Sequence, residues 1–332
     1  MLKNSEDFFE KITDLLENAR KKAVYSINQT MVYTYFEIGK IIIEEEQKGQ
    51  KRAEYGKQII KELSQKLIKE FGKGFSRRNL EQMRQFYLAY SNTQALSAEF
   101  RLSWSHYLFL TRIDNENERK FYEIEAIESN WSLRELQRQF DSALFERLVL
   151  SRDKKDVKKL SEKGQIIKNP QDTLKDPYIL EFLGLPEETR YSETDLEQKL
   201  IDKLENFLLA LGKGYTFVGR QVRFTFDDKH FRIDLVFYNR LLQSFVLIDL
   251  KIGELTHQDL GQMQMYVNYY DRYVKLGHEN KTVGMVLCKK KNDTLIEITL
   301  AENNEQIFAS KYQTVLPSKK ELKELIENKL TD

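Results

Sequence analysis

Apolar residues in the first 150 positions recur at the spacing of amphipathic helices. Near the amino terminus they fall on one face at three- and four-residue steps, at Phe8, Ile12, Leu15, Leu16 and Ala19. No proline interrupts the sequence before Pro170, and Ser76 and Ser132 stand where side chains cap the free N–H groups of a helix. The pattern predicts an all-helical domain over residues 1–150.

The helical pattern weakens between residues 151 and 177. A run of charged residues is followed there by a glycine and two prolines, which interrupt regular elements. We predict a charged connector over residues 151–177 and a second domain over residues 178–316. Pro317 then opens a stretch that predicts a C-terminal helical tail over residues 317–332.

The spacing of apolar residues along the chain changes in the second domain. A helical stripe over residues 196–211 ends at a Gly-Lys-Gly stop signal. Segments rich in Val, Ile, Phe and Tyr then predict four strands, over residues 215–226, 231–238, 244–250 and 282–287. A helix that begins at Thr256 separates the third strand from the fourth. The predicted order of elements is αβββαβ, followed by a segment whose structure the pattern does not determine.

Composition narrows the class of protein. The length of 332 residues is enough for two domains, and the single cysteine, Cys288, leaves neither an internal disulfide nor a cysteine-ligated zinc site. Met1 is not followed by a basic region and an apolar core, and no apolar run is long enough to span a bilayer. We therefore expect a cytoplasmic protein that does not insert into membranes.

The net charge of +1 conceals a local basic stretch. Between residues 51 and 84, ten basic residues outnumber four acidic ones. A tight turn over residues 71–76 precedes a helix that begins with Arg77 and Arg78, where backbone N–H groups also favour phosphate. This arrangement resembles a helix-turn-helix that enters a major groove, although an ordinary helical hairpin with solvated charges has the same pattern. In the first interpretation, the expected contacts to nucleic acid are Lys73, Arg77, Arg78 and Arg84.

Two aspartates interrupt otherwise apolar strands in the second domain. If the second and third predicted strands form an antiparallel pair, Asp234 and Asp249 lie opposite or nearly opposite each other, with Cβ atoms about 5 Å apart. Side chains alternate along a strand, so Asp249 and Lys251 emerge on one face. Lys251 can neutralise only one carboxylate, and the surplus negative charge suits a hard divalent cation such as Mg²⁺. A cross-strand salt bridge beside an exposed aspartate explains the same residues, and the residues alone do not separate these interpretations.

Other classes of catalytic site lack their sequence signals. The four histidines are scattered without the spacing of metal ligands, and the local sequence suggests no set of Ser, His and Asp. The Gly-Lys-Gly stretch lacks the Walker pattern, so we expect no nucleotide cofactor.

The order of these chemical groups resembles the PD-(D/E)XK nuclease superfamily. Asp234 is followed on the next strand by Asp249-Leu250-Lys251, between a helix that carries Glu197 and a helix that carries Gln262 and Tyr266. The chain is more closely similar to the YhcG-like family, in which an all-helical domain precedes such a nuclease domain. The matching stretches lie in both domains: Glu54-Tyr-Gly-Lys, Gly74-Phe-Ser, Asn79-Leu80, Met83-Arg84, Phe86-Tyr87, Trp131-Ser132, Phe217-Val-Gly-Arg-Gln221, Gly261-Gln262 and Gly284-Met-Val-Leu-Cys288.

The resemblance implies a fold and a reaction. The fold is a restriction-endonuclease-like α/β domain with a mixed central sheet, and the reaction is hydrolysis of DNA phosphodiester bonds with Mg²⁺, or with Mn²⁺ as a substitute. The implied metal ligands are Asp234, Asp249, Glu197 and the Leu250 carbonyl. Lys251 resembles the lysine that positions or deprotonates the attacking water. Glu205 is a rival of Glu197 for the helix acid, and Ile233 stands where the name of the superfamily has proline.

The helix that carries Gln262 and Tyr266 adds further candidate site residues. Gln262 and Tyr266 resemble the Gln-x-x-x-Tyr element of several branches of the superfamily, and we expect Gln262 to act with the catalytic residues. In the second domain, the expected contacts to nucleic acid are Arg220, Gln221 and Tyr266.

A second hypothesis is a nuclease-fold protein that binds nucleic acid or a protein partner without cutting it. The intact set of Asp234, Asp249 and Lys251 favours the enzyme. The sequence leaves open whether the substrate is DNA or RNA. A homodimer is one expectation, because two cuts in a duplex are often made by two sites.

Overall fold

The computed structural model describes residues 2–48, 53–91, 100–150, 154–186, 191–226 and 228–316. Contacts divide the chain into two compact units, Met1–Leu136 and Gln137–Asp332. The predicted C-terminal tail, residues 317–332, lies outside the described residues, as do residues 151–153 of the predicted connector.

The described part of the first unit consists of helices and the turns that join them. They are α1 (Leu2–Lys48), α2 (Ala53–Phe71), α3 (Arg77–Tyr90), α4 (Trp104–Leu110), α5 (Glu116–Glu128) and the start of α6 (Leu133–Asp141). Ser76 caps α3 as predicted, because its Oγ accepts a hydrogen bond from the Asn79 N–H at 3.3 Å. Ser132 accepts a similar bond from the Glu135 N–H at 3.2 Å, before α6. For the described residues, the prediction of a helical amino-terminal region is confirmed.

Apolar side chains of α1, α2 and α3 form a core beneath the turn between α2 and α3. Its buried members are Ile42, Ile60, Leu80 and Met83. At Gly39 the backbones of α1 and α3 come so close that a Cβ atom would lie 2.2 Å from the Met83 carbonyl oxygen. The turn itself is tied to this core, since the Ser64 hydroxyl donates to the Phe75 carbonyl at 3.0 Å. We refer to residues 71–78, the turn and the two arginines that follow it, as the basic turn. It is therefore supported by a packed core.

The second unit contains helices around one sheet. Its helices are α7 (Leu144–Leu150), α8 (Lys154–Lys163), α9 (Glu193–Asp202), α10 (Leu204–Leu211), α11 (His257–Tyr273) and α12 (Asp293–Thr299). Its strands are β1 (Tyr178–Ile179), β2 (Tyr215–Phe226), β3 (Lys229–Asn239), β4 (Ser244–Glu254), β5 (Val283–Lys290) and β6 (Ile307–Gln313). Helix α8 falls inside the predicted connector, and α12 and β6 fall in the segment that the pattern left undetermined.

The helix expected over residues 196–211 differs from the prediction. It is divided into α9 and α10 at Lys203, whose backbone leaves the helical region (φ −117°, ψ 34°). It also begins earlier, because Ser192 and Asp195 form a capping box in which each side chain accepts from the other residue's N–H. The earlier start places Glu193 in the first turn of α9.

The sheet has the order β1-β6-β5-β4-β3-β2 and is mixed. β2, β3 and β4 are antiparallel, whereas β4, β5, β6 and β1 pair in parallel. Apolar clusters cover both faces, one with Leu196 of α9 and one with Leu260 of α11. The predicted order αβββαβ and the mixed sheet are confirmed. No helix among the described residues has the length and apolar content that a bilayer span requires.

Candidate active site

Strands β3 and β4 bring Asp234 and Asp249 together where the pairing of the strands ends. The last paired residues are Leu235 and Ile248, so the two aspartates are the next residues along each strand. The Leu250 N–H donates to the Asp234 carboxylate at 2.9 Å and fixes its orientation. Asp249 is almost fully buried, with 3% of its surface exposed. A buried carboxylate, Asp249, and a half-buried one, Asp234, thus share one site.

Lys251 lies beside these carboxylates and contacts two acids that the sequence did not identify. Its Nζ atom is 3.2 Å from the Asp249 carboxylate. It is also 3.8 Å from Glu193 and 3.8 Å from Asp259. Both added acids occupy the first turn of a helix, where acids are common, and this position is the only sequence signal they carry.

The electrostatics of the pair are set by burial and by like charge. The pKa of Asp249 is raised to about 7, first by burial and then by the charge of Asp234, while Lys251 opposes the rise. Burial alone would lower the pKa of Lys251, but the charges of Asp249 and Glu193 outweigh it and raise that pKa above its ordinary value. The ammonium group is therefore charged at neutral pH, and the carboxylates retain surplus negative charge.

Glu197 joins the aspartates through the side chain of Gln221. The Gln221 Nε2 atom donates to Glu197 and, at 3.0 Å, to Asp234. Glu197 is buried on α9, and burial raises the pKa of its carboxyl group. Glu205, its rival in the sequence, is exposed on α10. We refer to Asp234, Asp249, Glu197, Gln221 and Lys251 as the carboxylate cluster.

The two neighbouring candidates on β2 face this cluster. Gln221 has a left-handed backbone, with φ of 47°, and follows a bulge between Phe217 and Gly219. The Arg220 guanidinium lies 3.8 Å from Glu197, and it also donates to Gln198 at 2.8 Å. The structure thus places Arg220 and Gln221, expected as contacts to nucleic acid, in direct contact with Glu197.

Gln262 and Tyr266 lie on α11, and their side chains are hydrogen-bonded to each other. The Tyr266 hydroxyl also donates to the Arg232 carbonyl at 2.9 Å, and the residue is fully buried. Burial raises the pKa of Tyr266, and the charges of Asp249 and Asp234 add to the rise. Tyr266 is thus positioned to hold the side chain of Gln262.

The basic turn lies in the first unit, between α2 and α3. Lys73, Arg77 and Arg78 are exposed there, and Arg77 pairs with Glu81 at 3.1 Å along the helix. Arg84 differs, because it is half-buried and its Nε atom lies 2.8 Å from Glu46 of α1. Lys73 and Arg78 are therefore exposed, and Arg77 is exposed but paired along α3, whereas Arg84 of α3 is engaged with α1.

The donor set of the carboxylate cluster fits a hard divalent cation. The adjacent carboxylates of buried Asp249 and half-buried Asp234 suit Mg²⁺, which binds proteins through one or two carboxylates and keeps several waters. Within the described ranges, no group of three or more His, Cys, Asp or Glu side chains is placed so that it could hold a metal ion. Asp234 and Asp249 are the residues that would hold the cation, with Glu197 one hydrogen-bonded link away through Gln221.

Two solved structures are similar to part of this chain. A repair endonuclease from Pyrococcus abyssi is 12% identical, with a TM-score of 0.25, over 40% of this chain and 50% of its own. An EndoMS-dsDNA2 complex is 15% identical, with a TM-score of 0.27, over 40% of this chain and 49% of its own. The chain therefore spans about half the length of these solved proteins.

Comparisons of sequence cover both units. Residues 11–147 match the protein family described as "DUF1016 N-terminal domain". Residues 171–328 match the family described as "YhcG PDDEXK nuclease domain". A relative from Escherichia coli (strain K12), named "Putative nuclease YhcG", is 39% identical over 341 aligned positions, which cover 94% of this chain and 90% of the relative. The sheet, the carboxylate cluster and these matches lead to one conclusion: the chain belongs to the YhcG family of PD-(D/E)XK nucleases.

Proposed function

We propose that the chain is a metal-dependent endonuclease that hydrolyses phosphodiester bonds of DNA at the carboxylate cluster. The observation that carries this proposal is the contact of buried Asp249 with both Asp234 and the Lys251 ammonium group. Two adjacent carboxylates and one lysine leave a surplus negative charge, which favours Mg²⁺, with Mn²⁺ as a substitute. We assign the activity to residues 178–316, which contain every member of the cluster.

Asp234 and Asp249 would hold the cation, and the surrounding chain fixes the position of each carboxylate. The Leu250 N–H fixes Asp234, and burial against the sheet fixes Asp249. We propose Glu197 and the Leu250 carbonyl as further ligands. A divalent cation bound there supplies an activated water and offsets the negative charge that develops on the phosphate.

Lys251 acts as a charged group in this proposal. The charges of Asp249 and Glu193 raise the pKa of Lys251 and favour its ammonium form, which is suited to orient the attacking water and to stabilise charge on the phosphate. Its contacts with Asp249, Glu193 and Asp259 hold it in one place. The lysine is therefore preorganised for a charge that appears only in the transition state.

The two glutamines have positioning roles. Gln221 links Glu197 on α9 to Asp234 on β3, so it sets the separation of the two carboxylates. Gln262 is held by Tyr266, whose hydroxyl is in turn anchored to the backbone of β3. We propose that Gln262 orients the substrate phosphate or the water beside Lys251.

The proposed function predicts metal-dependent cleavage of a covalently closed circle. Supercoiled plasmid, single-stranded circular DNA and an RNA of matching sequence are each incubated with the protein in Mg²⁺, in Mn²⁺ or in EDTA. We expect nicked or linear DNA with either metal and intact DNA in EDTA. Cleavage that persists in EDTA would contradict the metal dependence, and cleavage of RNA alone would contradict the substrate. Binding without cleavage of any substrate would support a catalytically silent protein.

We also propose that the helical unit binds DNA through the basic turn. Lys73 is exposed in the turn, and Arg77 and Arg78 are exposed at the N-terminus of α3, where free backbone N–H groups favour phosphate. The Asn79 side chain donates to the Gly74 carbonyl at 2.8 Å and holds the turn in shape. The exposed charges and the fixed turn together suit contact with a DNA backbone.

Replacement of Arg77 and Arg78 by alanine is expected to weaken DNA binding. If each arginine neutralises one phosphate, the slope of log Kd against log salt falls by about 2. Fluorescence anisotropy with a labelled duplex between 50 and 200 mM salt measures this slope. The matched control replaces Arg20 and Lys22, two exposed basic residues of α1, by alanine. Equal slopes for the two variants would assign the turn to packing or to a protein partner.

A further inference from the structure

Strands β2 and β3 continue past the rest of the sheet as a two-stranded ribbon. β3 pairs with β4 only from Leu235 to Asn239, whereas its pairing with β2 continues to Lys229. We refer to residues 222–226 of β2 and 229–233 of β3 as the β2–β3 arm. Because β2 is the edge strand, the arm has no other paired strand among the described residues.

The arm carries two arginines directly opposite each other. Arg223 pairs with Arg232 across the ribbon, and both side chains are exposed. Cβ atoms of opposed residues are about 5 Å apart, and like charges at this position destabilise a sheet. The ion pairs formed by the described residues include neither guanidinium group. The pair is therefore a local excess of positive charge that the described part of the chain does not compensate.

Apolar packing on the other face holds the arm in place. Phe224 and Ile233 are buried in the cluster that includes Tyr266 of α11. The rings of Phe224 and Tyr269 are stacked with centroids 4.1 Å apart. Side chains alternate along a strand, so Arg223 and Arg232 project from the face opposite to this packing. The arm presents its charge on a fixed surface, which lowers the entropic cost of binding a ligand.

The β2–β3 arm begins directly beside the carboxylate cluster. Gln221 immediately precedes the arm on β2, and Asp234 immediately follows it on β3. Arg223 and Arg232 are each two residues from these positions, so they lie about 7 Å farther along the ribbon. This is about the axial rise of two nucleotides in one strand of a duplex. Positive charge at this distance suits a phosphate that flanks the cleaved bond.

We propose that the β2–β3 arm binds backbone phosphates of the nucleic acid about two nucleotides from the cleaved bond, through Arg223 and Arg232. The proposal rests on the proposed function, because it takes the carboxylate cluster as the cleavage site. Lys229 and His230 add exposed donors on the arm, and the described acid nearest to them, Asp228, lies in the turn at its end. The ligand is the phosphodiester backbone, which DNA and RNA share.

The test measures binding without cleavage. Asp249→Asn serves as the background, and Arg223→Ala with Arg232→Ala is added to it. We expect about tenfold weaker binding of a labelled duplex at 50 mM salt, and a slope of log Kd against log salt that falls by about 2. Binding is measured in parallel with single-stranded DNA and with duplex RNA, so that the affinities for DNA and for RNA are compared.

A matched control removes the same charge elsewhere in the unit. Arg240→Ala with Lys281→Ala changes two exposed residues at the end of the sheet where β4 begins, away from the cluster. This control should bind as the background does, and Arg223→Lys with Arg232→Lys should retain the salt slope. The alanine pair should also melt at the same or a higher temperature, because it removes a repulsion.

The outcomes separate the arm from the proposed function. If the alanine pair binds with unchanged affinity and slope, or melts lower than the control, the arm proposal is overturned while the proposed function stands. If the Asp249→Asn background binds none of the three nucleic acids, the proposed function itself fails. A loss of slope in the alanine pair alone supports the arm.

Discussion

An Asp249→Asn variant is expected to cleave DNA about 10³-fold more slowly than the unchanged chain. Asparagine keeps the shape of the side chain but removes one of the two charges that would hold the cation. Metal stabilisation of the transition state is worth several kcal/mol, and each ~1.4 kcal/mol corresponds to a tenfold change in rate. The reduced rate should therefore reflect lost chemistry and not lost structure.

The thermal stability of the Asp249→Asn variant shows independently whether the substitution damages the fold. Burial raises the pKa of Asp249 to about 7, so the metal-free folded state keeps a proton that the unfolded state releases above about pH 4. The stability that this proton contributes is lost as the pH rises through the interval from about 4 to 7. At pH 8 asparagine avoids this loss, so the variant should melt at the same or a higher temperature.

Initial rates on a closed circular DNA in Mg²⁺ measure the first effect, and isothermal titration calorimetry measures the expected loss of metal affinity. Glu254→Gln is the matched control, because it removes one exposed carboxylate from the same strand. A rate for Asp249→Asn equal to that of the control would refute the assignment of the active site.

A Lys251→Met variant is expected to cleave roughly 10²- to 10³-fold more slowly and yet to bind the metal at least as tightly. Methionine preserves the apolar stem but removes the ammonium group that lies 3.2 Å from Asp249. The contacting acids Asp249, Glu193 and Asp259 then lack their cation, so a divalent ion meets less competition. Opposite changes in turnover and in metal affinity distinguish a catalytic lysine from a structural ion pair.

Single-turnover rates and calorimetric metal titrations provide the two readouts. Lys281→Met, at an exposed position remote from the cluster, controls for the substitution itself. If Lys251→Met cleaves as fast as this control, the contact with Asp249 is a structural salt bridge, which is the other interpretation that the sequence allowed.

The parts of the site that local rules govern were predictable. Counting from the turn of a hairpin places Asp234 opposite Asp249, and alternation places Lys251 on the same face as Asp249, because the side-chain period of a strand is fixed. The order of elements followed from the change of apolar period. These inferences need only one strand and its neighbour.

Other features depend on contacts that local patterns do not encode. Gln221 reaches Glu197 and Asp234 because its backbone is left-handed, and a pattern of apolar positions carries no signal for such a conformation. In the sequence Glu193 is an acid of the first helical turn, and its contact with Lys251 exists only in the folded unit. The break at Lys203 likewise has no signal in the sequence, where the apolar stripe of α9 and α10 is continuous.

The irregular backbone of β2 has a consequence for solubility. β2 is a 12-residue edge strand, and such an edge offers a row of unpaired N–H and C=O groups to any other extended chain. The bulge between Phe217 and Gly219 and the left-handed Gln221 interrupt this row and twist the edge. We expect the distortion that directs Gln221 toward the carboxylates also to disfavour edge-to-edge aggregation, so that the proposed catalytic geometry and colloidal stability depend on the same few backbone angles.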